Sequence, residues 1–435
     1  MHDIDGFQQN LYKHFVLKKI CCKNIRFERE NNILNSVKRT QVLIAGAGPV
    51  GSTAAYYLAK SGIDVVVVEA APRCMEDLRA STMHAATLEM LDKLGVVEDV
   101  IAQGLVAPIY QYRDRQTQET FSFDLTEISD ATKFPFRLQC EQHKLARLLT
   151  GRMKDLDNVQ VLFNHRIVHL EQTKKSVVVS LETPFAIEQI EADYVIGADG
   201  ANSIVRKWLN TGFDGFTYPE KFLTLSTKYP IENHFENLSY VNYISDPNEW
   251  MVVLKVPSVW RVQISVPEAS DDKFLTSDEH KTELFDRLMG DGASIETYHR
   301  TVYRVHQRVV KKYNHGRVLL IGDAAHLNNP LGGFGMNSGI HDAWNVCEKL
   351  IEILQENAEA EPLLDRFDRQ RRTIMNDFIQ AQTIRNKKMM EAKNPQDKKA
   401  FRDEMESIHN DAEKRREYLL TQSMLNSLKQ SELIT

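Results

Sequence analysis

Short, uninterrupted apolar runs punctuate a chain that otherwise alternates: Gln41-Val-Leu-Ile-Ala45, Val65 to Val68, Val195-Ile196 and Arg317-Val-Leu-Leu-Ile321. Such runs predict strands buried on both faces, as in a parallel sheet. Each ends at a glycine or an acid, namely Gly46, Glu69, Asp199-Gly200 and Gly322-Asp323. Ligands of open α/β sheets bind beyond such carboxyl ends. Ser52 to Lys60, with Gly62 as C-cap, reads as the helix between the first two runs and completes a βαβ unit. Asn158 to Ala186 is strand-rich. From Phe213 to Arg308 the period-two pattern predicts further strands, including Phe222 to Lys228, Ser239 to Ile244, Met251 to Val256 and Trp260 to Val266. After Leu350 the pattern turns helical, and the helices from Ile374 to Gln430 carry solvated faces around an apolar stripe.

Chemistry concentrates where the runs stop. In Gly46-Ala-Gly48-Pro49-Val50-Gly51 the first glycine permits a tight turn, the second lets backbone approach a pyrophosphate, and the third lets helix pack on strand. Glu69 is placed to hold a ribose 2′-hydroxyl and to repel a 2′-phosphate, which selects FAD or NAD over NADP there. Past Gly322 and Asp323, the loop from Pro330 through Gly333, Gly335 and Met336 to Asn337 is rich in glycine and suits close approach to a flat ligand. A helix is expected to start near Asn337 or Ser338, an N-cap residue type, with its positive end toward an anion.

Composition narrows the class without naming it. A net charge of −6 and 42% apolar residues are ordinary for a globular protein and give no basic excess for nucleic acid. No apolar stretch approaches the length of a transmembrane helix. Residues 1–38 are interrupted by charge throughout, which argues against a secretory signal and for a loosely attached extension. Cys21, Cys22, Cys74, Cys140 and Cys347 are odd in number and lack metal-ligand spacing, so reduced thiols in a cytoplasmic protein are expected, with no metal.

The ordered string Gly322-Asp-Ala-Ala-His326, Pro330, Gly332 to Ala343 and Asn345 resembles the flavin-holding segment of FAD-dependent aromatic hydroxylases, the single-component flavoprotein monooxygenases of the para-hydroxybenzoate hydroxylase type. Asp199-Gly200-x-x-Ser203-x-x-Arg206 is similar to the second fingerprint of that family, which serves both the FAD and a passing nicotinamide. Leu78-Arg79-Ala80 resembles its Pro-Arg-Ala segment, with leucine in place of proline, and by that resemblance Arg79 lies over the dinucleotide phosphates. Gln142-His-Lys-Leu145 resembles its Gln-x-x-Leu helix start, where the glutamine reaches the ribityl chain. Leu363-Leu364-x-x-Phe367-x-x-x-Arg371 resembles its Leu-Leu-x-x-Tyr-x-x-x-Arg signature, with Phe367 for tyrosine. The resemblance spans roughly residues 39 to 372.

What it implies is an α/β protein with a discontinuous Rossmann-like FAD-binding domain, an inserted mixed-sheet substrate domain and a helical C-terminal region. The expected segments are 1–38 as an extension, 39–212 as the first part of the FAD domain with part of the substrate sheet, 213–308 as the substrate domain, 309–372 as the second part of the FAD domain, and 373–435 as helices. The implied reaction uses NAD(P)H and molecular oxygen to hydroxylate a small, phenol-like organic substrate through a flavin C4a-hydroperoxide, with no catalytic side chain of its own. Phe222, Tyr240, Tyr243 and Trp250 are candidate substrate contacts. A flavin reductase, a Baeyer–Villiger oxygenase, a halogenase and a non-catalytic flavin-binding regulator remain as alternatives, NADH against NADPH stays open, and so does a homodimer.

Overall fold

The apolar runs become neighbouring strands of one sheet, because each is too uniformly hydrophobic to leave either face in water. In the computed structural model, which describes residues 38–76, 80–290, 292–392 and 394–435, the sheet runs Asn314–His315, Val318–Leu320, Ile187–Gly197, Lys38–Ala45, Val65–Glu69, Val159–Phe163. Val318–Leu320 pairs parallel with Ile187–Gly197, and Val65–Glu69 lies parallel between Lys38–Ala45 and Val159–Phe163. Two antiparallel strands, Val177–Glu182 and Arg166–Gln172, extend from Ile187–Gly197. Residues 39–435 form one compact unit.

A second eight-stranded sheet holds the period-two segments, in the order His326–Leu327, His299–Val310, Phe213–Thr227, Trp260–Pro267, Met251–Lys255, Val241–Ser245, Ile109–Asp114, Thr120–Asp124. Its last two strands come from before residue 213, and Ile109–Asp114 joins in parallel with Val241–Ser245. Alternation divides the side chains between two cores. Phe222, Val241, Tyr243, Trp250 and Val252 fall on one face, with Leu331, Phe334 and the C-terminal Met405, Tyr418 and Leu419. Leu223, Ile244, Met251, Val253 and Trp260 fall on the other, covered by Leu284 and Phe285. Those two belong to the helix Asp278–Met289, which the strand-dominated reading of 213–308 did not anticipate; it is capped by Ser277 and ended by Gly290 at φ 79°.

A small three-stranded sheet, Thr82–Met83, Arg137–Gln139 and Leu105–Ala107, stands apart from both large sheets in its pairing. The C-terminal part is helical as expected, from Phe334–Gln355 and Ala360–Thr373 through to Leu425–Leu433, with a π-helical segment at Ile374–Gln380. No helix among the described residues is long and apolar enough to cross a membrane.

Candidate active site

Three strand ends meet at one edge. Ala198 N donates to Ala45 O at 2.9 Å and Ile321 N to Gly197 O at 3.0 Å, which levels the ends of three sequence-distant strands. Gly46 turns there at φ 102°, and a Cβ on it would lie 2.5 Å from Ala198 O. A Cβ on Gly51 would lie 2.1 Å from Gly46 O. Both glycines are therefore demanded by backbone, not by side chains that could move. Gly48 differs: a Cβ there would meet nothing within 4 Å. It opens onto space before the helix Pro49–Lys60, which starts earlier than the expected Ser52, has Pro49 in its first turn and bears no side-chain cap. Glu69 points back at this turn, its Oε2 accepting from Ala47 N at 2.9 Å and its Oε1 from Ala71 N at 2.8 Å.

The second fingerprint is used for construction. Asp199 accepts from Ser203 Oγ at 2.5 Å, Ile204 N at 2.7 Å and Val205 N at 3.1 Å, so its carboxylate caps the helix Ile204–Trp208. Arg206 donates to Ala324 O at 2.9 Å and Ala201 O at 2.6 Å, tying this segment to the third fingerprint. Gly200, at φ 78°, makes the turn between them.

At the third fingerprint the helix begins at Phe334, with Gly333 as N-cap at φ 71° and no side-chain cap. The expected start near Asn337 or Ser338 is thus corrected by most of a turn. Left-handed glycine begins the helix, and Asn337 is left to another task. Buried in the first turn, its Oδ1 accepts from His84 N at 2.9 Å, while its Nδ2 donates to Thr82 O at 2.8 Å and Gly333 O at 2.6 Å. The side chain splices the 82–84 segment to the glycine loop. Gly322 and Asp323 lie on a short 3-10 turn past Val318–Leu320, with Asp323 half-buried. Val50 packs between the two helices: a Cβ on Gly339 would lie 2.6 Å from Val50 Cγ2 and 3.1 Å from Gly322 Cα. Pro330, Gly335 and Met336 lie along the same loop and first turn, and a Cβ added to Gly335 would meet only the Asn328 side chain, its Oδ1 at 3.4 Å.

Beneath the loop lies a buried ionic knot. Asp342 Oδ1 accepts from Arg371 Nε at 2.7 Å, and Oδ2 meets His326 Nε2 at 2.7 Å and Gly322 N at 3.1 Å. Burial alone would raise the Asp342 carboxyl, but His326 and Arg371 outweigh it and hold the group below its ordinary value. Burial, and then the Arg371 charge, push the neighbouring His341 down to about 3, so it stays neutral against Thr87 Oγ1 at 3.0 Å. Arg371 is the arginine of the Leu-Leu-x-x-Phe-x-x-x-Arg segment. Its partner had no signal beyond being a motif acid.

The remaining candidates separate. Gln142 opens the helix Gln142–Arg152, its N–H donating to Ala80 O at 3.0 Å. Arg79 lies outside the described residues. Phe222 and Trp250 pack on each other with ring centroids 5.1 Å apart, and Tyr243 stacks on Tyr112 at 5.0 Å. Tyr240 is 41% exposed, one step of strand parity away from the face that carries Val241 and Tyr243. Not foreseen was a second set of buried polar groups, Arg137 and Gln139 on the small sheet and His84 just past its edge strand. A cavity of about 270 Å³ between the hairpin 109–124 and the helices 381–402 is lined by Tyr112, Phe121, Met390 and Phe401 but by none of the fingerprints, so it is not the cofactor cleft.

These features fit FAD. Two long helices begin at the shared edge with no side-chain cap and no acid in the first turn. Their N–H groups and dipoles suit a pyrophosphate and an anionic reduced ring, and Gly48 leaves room for the approach. The FAD binding domain family matches the chain over residues 39–382. The chain belongs to the FAD-binding monooxygenase family. This flavin monooxygenase is 30% identical over 362 residues to para-nitrophenol 4-monooxygenase of Pseudomonas sp. strain WBC-3, covering 81% of this chain and 88% of the relative. It is 34% identical over 340 residues to 6-hydroxy-3-succinoylpyridine 3-monooxygenase HspB of Pseudomonas putida strain DSM 28022 / S16, covering 77% and 84%. The crystal structure of p-nitrophenol 4-monooxygenase PnpA from Pseudomonas putida DLL-E4 superposes with a TM-score of 0.84 at 27% identity, over 90% of this chain and 99% of that one. The enzyme is a FAD-dependent oxidoreductase of the aromatic hydroxylase type.

Proposed function

We propose that this monooxygenase uses NADH or NADPH and molecular oxygen to hydroxylate a small phenol-like ring. The observation that carries this reading is the shared core of Phe222, Tyr243 and Trp250 with Leu331 and Phe334, where the aromatic face of the large sheet closes over the glycine loop. Bound FAD would supply the reductive activation of oxygen. The chain's own share is positioning and exclusion. The helix from Phe334 and the loop amides would stabilise negative charge on a reduced ring, an effect of about 1 kcal/mol per favourable terminus. The aromatic face keeps water from the reacting centre. A ribose hydroxyl would take a remaining lone pair of Glu69, Asp323 and Gln142 would face the cofactor's polar chain, and the nicotinamide would pass by Arg79 and the Asp199-Gly200 turn. The names of both Pseudomonas relatives, which act on a nitrophenol and a hydroxylated pyridine, favour a six-membered aromatic ring that bears a hydroxyl.

The test measures hydroxylated product and hydrogen peroxide per NAD(P)H consumed across a panel of phenols. A substrate should give nearly one product per cofactor oxidised. Tyr243→Ala should move the balance toward peroxide without emptying the flavin site, whereas Tyr240→Ala, on the exposed side, should leave it unchanged. No oxygenated product from any electron-rich aromatic would overturn the reading.

A further inference from the structure

The small sheet carries a polar face that the flavin fingerprints do not use. Arg137 and Gln139 are two apart on one strand and so share that face, while Leu138 packs into the apolar core on the other. Arg137 is 1% exposed, and among the described residues no carboxylate pairs with it. One arm donates to Tyr243 OH at 3.1 Å and the guanidinium lies 3.9 Å from the Tyr110 ring centroid, yet Nη2 has no partner. Gln139 is fully buried; its Oε1 accepts from Thr82 Oγ1 at 3.1 Å, and its Nε2 has no partner.

The register aims this face at the flavin loop. Thr82 pairs with Gln139 and Met83 with Leu138, and His84 follows directly as the N-cap of the helix Ala85–Lys93, near enough to Arg137 for that charge to act on its ring. His84 Nε2 lies 2.8 Å from Gly332 O. A carbonyl only accepts, so Nε2 carries the proton, and in the neutral ring Nδ1, which has no partner, is an acceptor. Thr82 also abuts the loop, its Cβ lying 3.0 Å from where a Cβ on Gly333 would sit. Two unused donors, one of them charged, thus stand beside an acceptor that turns anions away from its own side.

A buried cation without a counter-charge is costly, and a ring face plus one phenol offset it only in part. Arg371 shows the alternative within the same chain, buried against Asp342 at 2.7 Å. We propose that Arg137 is the specificity residue of this enzyme and that its substrate presents an oxyanion, phenolate or carboxylate, to Arg137 and Gln139. The proposal rests on the aromatic hydroxylase reading and names the substrate class within it.

FAD-loaded wild type, Arg137→Gln and Arg137→Lys are titrated with benzoate against benzamide and with 4-nitrophenol against 4-nitroanisole. Binding is read from the flavin absorbance change and from protection against thermal unfolding, neither of which needs turnover. A charge-assisted bond in a dry site favours the anion about tenfold to a hundredfold. Wild type should therefore prefer one anion over its neutral isostere by at least about tenfold, Arg137→Gln should bind both alike while keeping its FAD, and Arg137→Lys should fall between, since an ammonium lacks the planar fork. Preference for benzoate identifies a carboxylate, and nitrophenol affinity that rises with the ligand's own ionisation identifies a phenolate. Equal affinities in both wild-type pairs overturn the proposal, as does a preference that survives in Arg137→Gln. If Arg137→Gln sheds its flavin, an undiminished preference in Arg137→Lys overturns it instead. Failure of the hydroxylase reading shows separately, as absence of oxygenated product from rings that bind.

Discussion

Replacing Asp342 with asparagine keeps the shape of the ionic knot and removes its charge. Three groups converge on that carboxylate, at 2.7, 2.7 and 3.1 Å, and both Asp342 and Arg371 are essentially inaccessible to solvent. Breaking one side of a pair so deeply buried leaves a guanidinium charge in a dry interior, and the expected loss is about 3–5 kcal/mol. Arg371→Met strands the carboxylate instead and should cost a similar amount. The double substitution removes both charges and should cost less than the sum of the singles by on the order of 2 kcal/mol. Urea unfolding of FAD-saturated wild type, both singles and the double measures all four corners. Acid adds a signed check. The Asp342 carboxyl is held below its ordinary 3.8, so its contribution is complete above that value and is lost as pH falls through the lower folded value. The gap between wild type and Asp342→Asn should therefore be constant near neutrality and narrow only in acid below about pH 4. A loss under 1 kcal/mol for Asp342→Asn, or strictly additive singles, would refute the view that the knot is what ties helix, loop and strand end together.

Two further substitutions probe the same edge. Gly51→Ala drives a Cβ to 2.1 Å from the Gly46 carbonyl oxygen and should lower both the melting temperature and the FAD content, whereas Gly48→Ala meets no protein atom within 4 Å and should melt almost normally while holding FAD weakly; equal melting losses in the two would contradict the distinction. Asn337→Ala deletes three buried hydrogen bonds and strands their partners, for a loss of about 3 kcal/mol, seen in thermal unfolding and as faster proteolysis near residues 82–84.

What could be read in the chain were the features that a local stretch dictates. Val65–Glu69 announces a buried strand because four consecutive valines suit no other place, and the glycine spacing 46, 48, 51 states its own geometry. Tyr240 and Tyr243 could not be told apart in the chain because alternation gives a face only once the parity is fixed, and three residues place them on opposite sides, one 41% and the other 4% exposed. The start at Phe334 was hidden because a left-handed glycine can begin a helix as well as end one, and the N-cap rule pointed to Asn337. Arg137 and His84 could not be seen at all: nothing beside them in sequence marks their burial, and they meet only when Thr82–Met83 pairs with Arg137–Gln139. The ion pair of Asp342 and Arg371 is of the same kind, two ordinary charges on different helices until both are dry.

The levelled strand ends also set a timetable for biosynthesis. A nascent chain that has left the ribosome as far as Trp208 holds the first glycine turn and the Asp199 cap, yet the edge still lacks Ile321, whose amide bonds Gly197, and the helix from Phe334. Arg371 emerges later still. Flavin therefore has no complete seat to settle in until most of the polypeptide has been made, and it joins as a late fastener, not as an early template. Riboflavin shortage during expression should then leave a largely folded, cofactor-poor protein that added FAD can restore, while chains released before Arg371 should stay beyond rescue at any FAD concentration.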